Sequence, residues 1–170
     1  ILVGHSMGGF LSMKCLLSYP ELQHDKIKGL VLMATFAGDI YKNNAQNKLQ
    51  IPLIKSGVLQ KMITWNPIGR AFAKSLIGKN PDPELVRVVP EIFLQQSHSK
   101  LIPILEAFGA ENYYSELHKI TLSTVVVIGT KDATTPPFHT DNLVKLIPNA
   151  TRMDVLDKGH CLNAEAPNEI

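Results

Sequence analysis

The opening stretch, Ile1-Leu2-Val3-Gly4-His5-Ser6-Met7-Gly8-Gly9-Phe10, restricts the fold more than any other part of the chain. A short apolar run leads into small residues spaced Gly-x-Ser-x-Gly around Ser6. A side chain at Gly4 or Gly8 is expected to collide where strand and helix cross, so the run predicts a buried strand, a sharp turn and a helix start. Ser6 sits at the bend, its hydroxyl pushed out at the top of a sheet. The backbone N–H of Met7, in the first helical turn, then faces any oxyanion forming on an attacked carbonyl. A bare Gly-x-Ser-x-Gly also fits an ordinary glycine-rich turn. An acid and a histidine at suitable places downstream separate the two readings.

Downstream, Phe10 to Tyr19 carries apolar residues on nearly every side and reads as a helix packed beneath a sheet, stopped by Pro20. Lys28 to Ala34, with Gly29-Leu30-Val31-Leu32-Met33 at its centre, is too brief for a helix and fits a strand buried on both faces. Strand, helix and strand make a parallel crossover unit. From Thr35 to about Lys119 the pattern changes to short helices punctuated by proline. Asn66-Pro67 and Asp82-Pro83 each place a cap residue before a first-turn proline, and Pro52, Pro90 and Pro103 are expected to bend or divide their segments. Between Asp39 and Asp82 there is no acidic residue, whereas Lys42, Lys48, Lys55, Lys61, Arg70, Lys74 and Lys79 all fall there, with Trp65 near the middle. Thr124 to Gly129 then reads as a β-branched buried strand, Phe138 to Ile147 as a helix and Thr151 to Leu156 as a further strand. The boundaries implied are 1–38 and 119–170 for two parts of an α/β core, and 39–118 for a helical insertion.

With 170 residues, 45% of them hydrophobic and 19% charged, the chain can bury the core of one soluble globular domain. A formal charge of +2 gives no reason to invoke nucleic acid, and no apolar run reaches the length of a membrane span. Cys15 and Cys161, far apart, read as reduced thiols rather than a secreted disulfide framework, which suits a cytoplasmic location. The chain starts with Ile inside a strand, so it reads as a fragment, and any leader would lie upstream.

A serine needs a neutral imidazole to take its proton, and the imidazole needs a carboxylate to fix its tautomer. The chain supplies Ser6, then Asp132 just past one buried strand, then His160 just past the next. Parallel strands deliver their ends to one sheet edge, so the three side chains are expected to meet there. Asp39, in the loop after the second strand, is the rival acid. His24, His98, His118 and His139 read as surface or core residues, and Asp154 and Asp157 as structural. His5 reads as a packing residue that, with Phe36, lines the substrate pocket.

In these pieces the chain resembles the C-terminal two thirds of an α/β-hydrolase: Gly4-His5-Ser6-Met7-Gly8-Gly9, Ile128-Gly129-Thr130-Lys131-Asp132 with Pro136 after it, and Gly159-His160 followed by Glu165-Ala166-Pro167. The resemblance implies a mostly parallel sheet with flanking helices, Ser6 as nucleophile, His160 as base, Asp132 as acid and the Met7 N–H as one oxyanion donor. It also makes Thr35 to Lys119 the variable cap over the pocket. The family's upstream strands and its second oxyanion donor have no counterpart, so the Ile1 to Gly4 strand is expected to be an exposed edge. This chain made alone is accordingly expected to aggregate and be nearly inactive.

Serine rather than aspartate at position 6 argues against relatives that open epoxides or remove halide, and leaves acyl transfer to water. A carboxylic ester hydrolase acting on lipid-like or small apolar acyl esters is the leading expectation, with activity falling as His160 is protonated in acid. Thioester hydrolysis, carbon–carbon bond hydrolysis, perhydrolysis and a non-catalytic ligand receptor are the alternatives. No cofactor is implied, and no metal: Cys161 beside His160 lacks ligand partners. Lys48 with Lys55, and Arg70 with Lys74, fall on common helix faces; solvated surface is the plainer reading and contact with a lipid surface the alternative.

Overall fold

The computed structural model describes residues 1–170 apart from Asn43 and the side chain of His98. Among these described residues four strands, β1 (Leu2–His5), β2 (Leu30–Met33), β3 (Thr124–Gly129) and β4 (Ala150–Val155), form one sheet in the order β1-β2-β3-β4 with every pairing parallel. The register sets Gly4 against Leu32, Leu32 against Val126 and Val126 against Arg152. All four C-terminal ends therefore lie on one edge. β1 is an edge strand, and Val3 in it is 57% exposed.

Alternation along the strands divides the core into two layers. Leu30, Leu32 and Val126 point to the face covered by Met13 and Leu16 of α1 (Met7–Ser18) and by Leu143 of α8 (Pro137–Leu146). Met33, Val127 and Val155 point to the other face, beneath Leu162 of the short α9 (Leu162–Glu165) and Ala166. Helix α2 (Leu22–Asp25) is a single turn between α1 and β2, and a 3₁₀ stretch, Tyr114–Lys119, leads towards β3.

Among the described residues five helices intervene between β2 and β3: α3 (Ala45–Lys55), α4 (Val58–Ile63), α5 (Asn66–Leu76), α6 (Pro83–Gln95) and α7 (His98–Ala110). Leu59, Ile63 and Phe72 form a small core of their own, with Val89 and Phe93 packed against it. Phe108 of α7 joins these helices to the sheet layer by packing with Phe10 and Phe36. Asp82 caps α6 as expected, its side chain accepting from Glu84 N–H at 2.8 Å ahead of Pro83. Asn66 does not cap α5: it already lies within the helix, and Trp65 takes the cap position. Pro52, Pro90 and Pro103 lie inside α3, α6 and α7 and do not divide them. A proline removes one donor without ending these helices; Pro90 is buried beside Gly69 of α5, whereas Pro52 and Pro103 are exposed. Among the described residues no helix is long and apolar enough to cross a membrane.

The glycines of the opening turn divide differently from the sequence expectation. A Cβ at Gly4 would lie 2.6 Å from the Cα of Gly9, and one at Gly9 would lie 2.5 Å from Oγ1 of Thr35, so strand and helix cross at these two positions. Gly8 meets nothing within 4 Å. One residue along a helix is a rotation of about 100°, which turns Gly8 away from the crossing and Gly9 into it. Gly8→Ala is therefore expected to hold or raise stability, by up to about 1 kcal/mol from helix propensity. Gly9→Ala is expected to lose about 1–3 kcal/mol by overpacking. Urea unfolding of both variants checks this, and equal losses at the two positions would contradict it.

Candidate active site

Ser6 follows β1 directly and adopts φ 52°, ψ −118°, a left-handed backbone that a residue with a side chain holds only when its surroundings enforce it. Two bonds do so. Ser6 N–H donates to the Met33 carbonyl at 2.9 Å, and the Thr35 hydroxyl donates to the Ser6 carbonyl at 2.6 Å. Met7 is the first residue of α1, so its N–H is among the helix-start donors that no intrahelical carbonyl satisfies.

Asp132 lies in the turn after β3, where its N–H donates to the Gly129 carbonyl. Its carboxylate is buried and saturated. Oδ1 accepts from Thr134 N–H at 2.8 Å and Thr135 N–H at 2.9 Å, while Oδ2 accepts from the Thr135 hydroxyl at 2.7 Å and lies 2.9 Å from His160 Nδ1. Burial alone pushes this carboxyl up, but the His160 ring and the Thr135 bonds outweigh it, and the pKa lies below the ordinary carboxylate value. His160, in the loop after β4, has Nε2 2.8 Å from Ser6 Oγ. With Asp132 accepting from Nδ1–H, Nε2 is left as the acceptor for the serine proton. Asp39 has no part in this chain; it pairs with Lys42 at 3.7 Å.

The loop carrying His160 is held from three sides. His160 N–H donates to the Leu76 carbonyl of α5 at 2.7 Å. His5 Nε2 is 2.7 Å from the His160 carbonyl, with the two rings 5.2 Å apart, and burial holds His5 below the ordinary imidazole range despite that bond. Glu165 of α9 accepts from Gly78 N–H at 2.7 Å, Gly159 N–H at 3.0 Å and Cys161 N–H at 3.2 Å. A Cβ on Gly159 would lie 2.6 Å from Gly78 N, so loop and helical layer meet backbone to backbone. In the sequence Glu165 stands out only as part of a family motif. Its spacing five residues after His160 was visible, but nothing local announced its partner Gly78.

Above Ser6 and His160 lies a cavity of about 320 Å³ whose walls include Phe36, Ile51, Phe72, Leu76 and Phe93, with Asn47, Gln50 and Thr134 as polar groups. Phe36, expected to line the substrate pocket, is in the wall of this cavity. His5 is not: its bond to the His160 carbonyl turns the ring to the loop, correcting its assignment to the pocket. His24 and His118 are exposed, and His98 falls outside the described side chains. His139 is fully buried, 2.6 Å from the Tyr114 hydroxyl through Nδ1, and burial lowers its pKa to about 4. Asp154 pairs with Arg152, and Asp157 with Lys79. Of the cations on the helical layer, Lys55 pairs with Glu106 at 3.2 Å, whereas Lys48, Arg70 and Lys74 are exposed and make no ion pair among the described residues.

This arrangement can deprotonate a serine hydroxyl against an apolar chamber, and comparison with known proteins agrees with the fold. The family profile described as alpha/beta hydrolase fold matches residues 1–167, and the chain belongs to that family. It is 24% identical to the proline iminopeptidase PfmaB of Pestalotiopsis fici, over 97% of this chain and 62% of that protein. Its fold is similar to that of a bromoperoxidase from Bacillus anthracis, with TM-score 0.78 at 21% identity over 98% of this chain and 62% of that one. It is also similar to an esterase from Exiguobacterium antarcticum, with TM-score 0.74 at 20% identity over 95% and 59%. The chain thus spans about three fifths of the length of these relatives.

Removing the carboxylate in Glu165→Ala leaves three backbone donors without their acceptor, at roughly 1–3 kcal/mol for a buried unsatisfied group. The amides of Gly78, Gly159 and Cys161 are then expected to exchange with deuterium faster, together, in the full-length protein. Unchanged protection at all three would show that Glu165 does not hold the loop.

Proposed function

We propose that the protein is a serine hydrolase that cleaves carboxylic esters with an apolar acyl group. The observation that carries this reading is the unbroken chain Asp132–His160–Ser6, at 2.9 and 2.8 Å, opening onto a cavity walled mainly by apolar side chains. In this reading residues 39–118 act as the cap that supplies most of those walls.

Ser6 Oγ attacks the ester carbonyl as its proton passes to His160 Nε2. Asp132 remains ionised through the neutral range and stabilises the imidazolium by accepting from Nδ1–H. Charge collects on the former carbonyl oxygen, and in this reading the Met7 N–H at the start of α1 donates to it. The carbon–oxygen bond to the alcohol breaks, and the alcohol leaves with the proton from Nε2. The acyl group is now on Ser6. Water attacks that acyl carbon, giving its proton to Nε2, and the acid departs as the proton returns to Oγ. The apolar walls favour hydrocarbon acyl groups over charged ones, which would lose their hydration there without a partner.

The experiment is labelling of the full-length protein with a fluorophosphonate, read by intact mass. One adduct is expected, on Ser6, with no labelling of Ser6→Ala and a loss of ester turnover of at least about a thousandfold. Labelling or turnover that survives Ser6→Ala would contradict the proposal.

A further inference from the structure

A second apolar groove, of about 340 Å³, lies beside the serine cavity and is lined by Val88, Val89 and Ile92 of α6 and by Cys161 and Ala164 at α9. The two spaces share three walls, Phe72, Leu76 and Phe93. We propose that they are two ends of one acyl-chain slot, in which Phe72, Leu76 and Phe93 form a partition that sets how much chain is admitted. The proposal rests on the reading of Ser6 as the acyl acceptor and names the substrate class within it: esters of medium or long straight-chain acids.

Each space alone sits near the bottom of the range of ligand pockets, about 300–1,000 Å³. All three shared residues are apolar, so a hydrocarbon chain passing from Ser6 into the groove meets no charge at the crossing. Phe93 lies in the last turn of α6, which ends at Gln95, and its ring packs on Phe72 with centroids 5.0 Å apart. Phe72 is buried at 7% exposure, whereas Phe93 is only half-buried. Ile92, in the same turn, is 55% exposed on the groove, apolar surface that a bound chain would cover. The occupant is the far end of a chain anchored at Ser6, because the groove adjoins that cavity and its walls are mainly aliphatic and aromatic.

The test compares p-nitrophenyl decanoate with p-nitrophenyl butyrate in the full-length protein. Tryptophan at either of two groove positions, Ile92→Trp at the surface or Val88→Trp deeper, is expected to lower the decanoate-to-butyrate ratio of kcat/KM at least about tenfold, since filling an apolar pocket discriminates on that scale. Phe93→Ala is expected to raise it. A ratio unmoved by both tryptophan variants would overturn the proposal. Binding of decanoic acid to Ser6→Ala protein, followed by calorimetry, gives a readout without turnover. If no ester is cleaved but decanoic acid binds and Ile92→Trp weakens it at least about tenfold, the slot stands and the esterase reading falls. If esters are cleaved while neither ratio nor binding responds to tryptophan, the slot falls and the esterase reading stands.

Discussion

A buried carboxylate is tolerable only if its charge is answered, and Asp132 is where the architecture commits itself. Two backbone amides, a threonine hydroxyl and one imidazole nitrogen surround it. An unpaired charge in that position would cost several kcal/mol, so the turn after β3 and the loop after β4 are fixed against each other by the need to satisfy it. Parallel pairing then fixes Ser6 as well, because β1 through β4 end on one edge and the serine turn leaves β1 at the same level.

The helical layer is bound to both of these loops. Asn44 and Asn47, at the start of α3, donate to the carbonyls of Ala133 and Thr134 beside the acid. At the far end of α5, the Leu76 carbonyl and Gly78 N–H hold the loop of His160, directly and through Glu165. Leu76 therefore has two faces: its side chain walls the serine cavity and its carbonyl fixes the backbone of the histidine. The layer that shapes the chamber also positions the imidazole.

Much of this was legible in the sequence because it is local. Gly29 to Met33 and Thr124 to Gly129 announce strands by unbroken apolar and β-branched runs, and their parallel ends place Asp132 and His160 where Ser6 can reach them. What escaped was set by tertiary contact. Gly8 and Gly9 are alike in sequence, and only the position of Thr35 decides which of them must lack a side chain. Pro90 looks like a helix breaker until Gly69 is found beside it. His5 was assigned to the pocket from its place beside Ser6, but its partner, the His160 carbonyl, lies 155 positions away.

The central claim is that Ser6 and His160 act as one unit through the hydrogen bond between them. Ester turnover by Ser6→Ala, His160→Ala and the double variant, in correctly folded full-length protein, tests it most directly. Residues that work together lose nearly everything when either is removed, so the account predicts a fall of at least about a thousandfold in each single variant and no further fall in the double. Single effects that are small, or that multiply in the double variant, would contradict it.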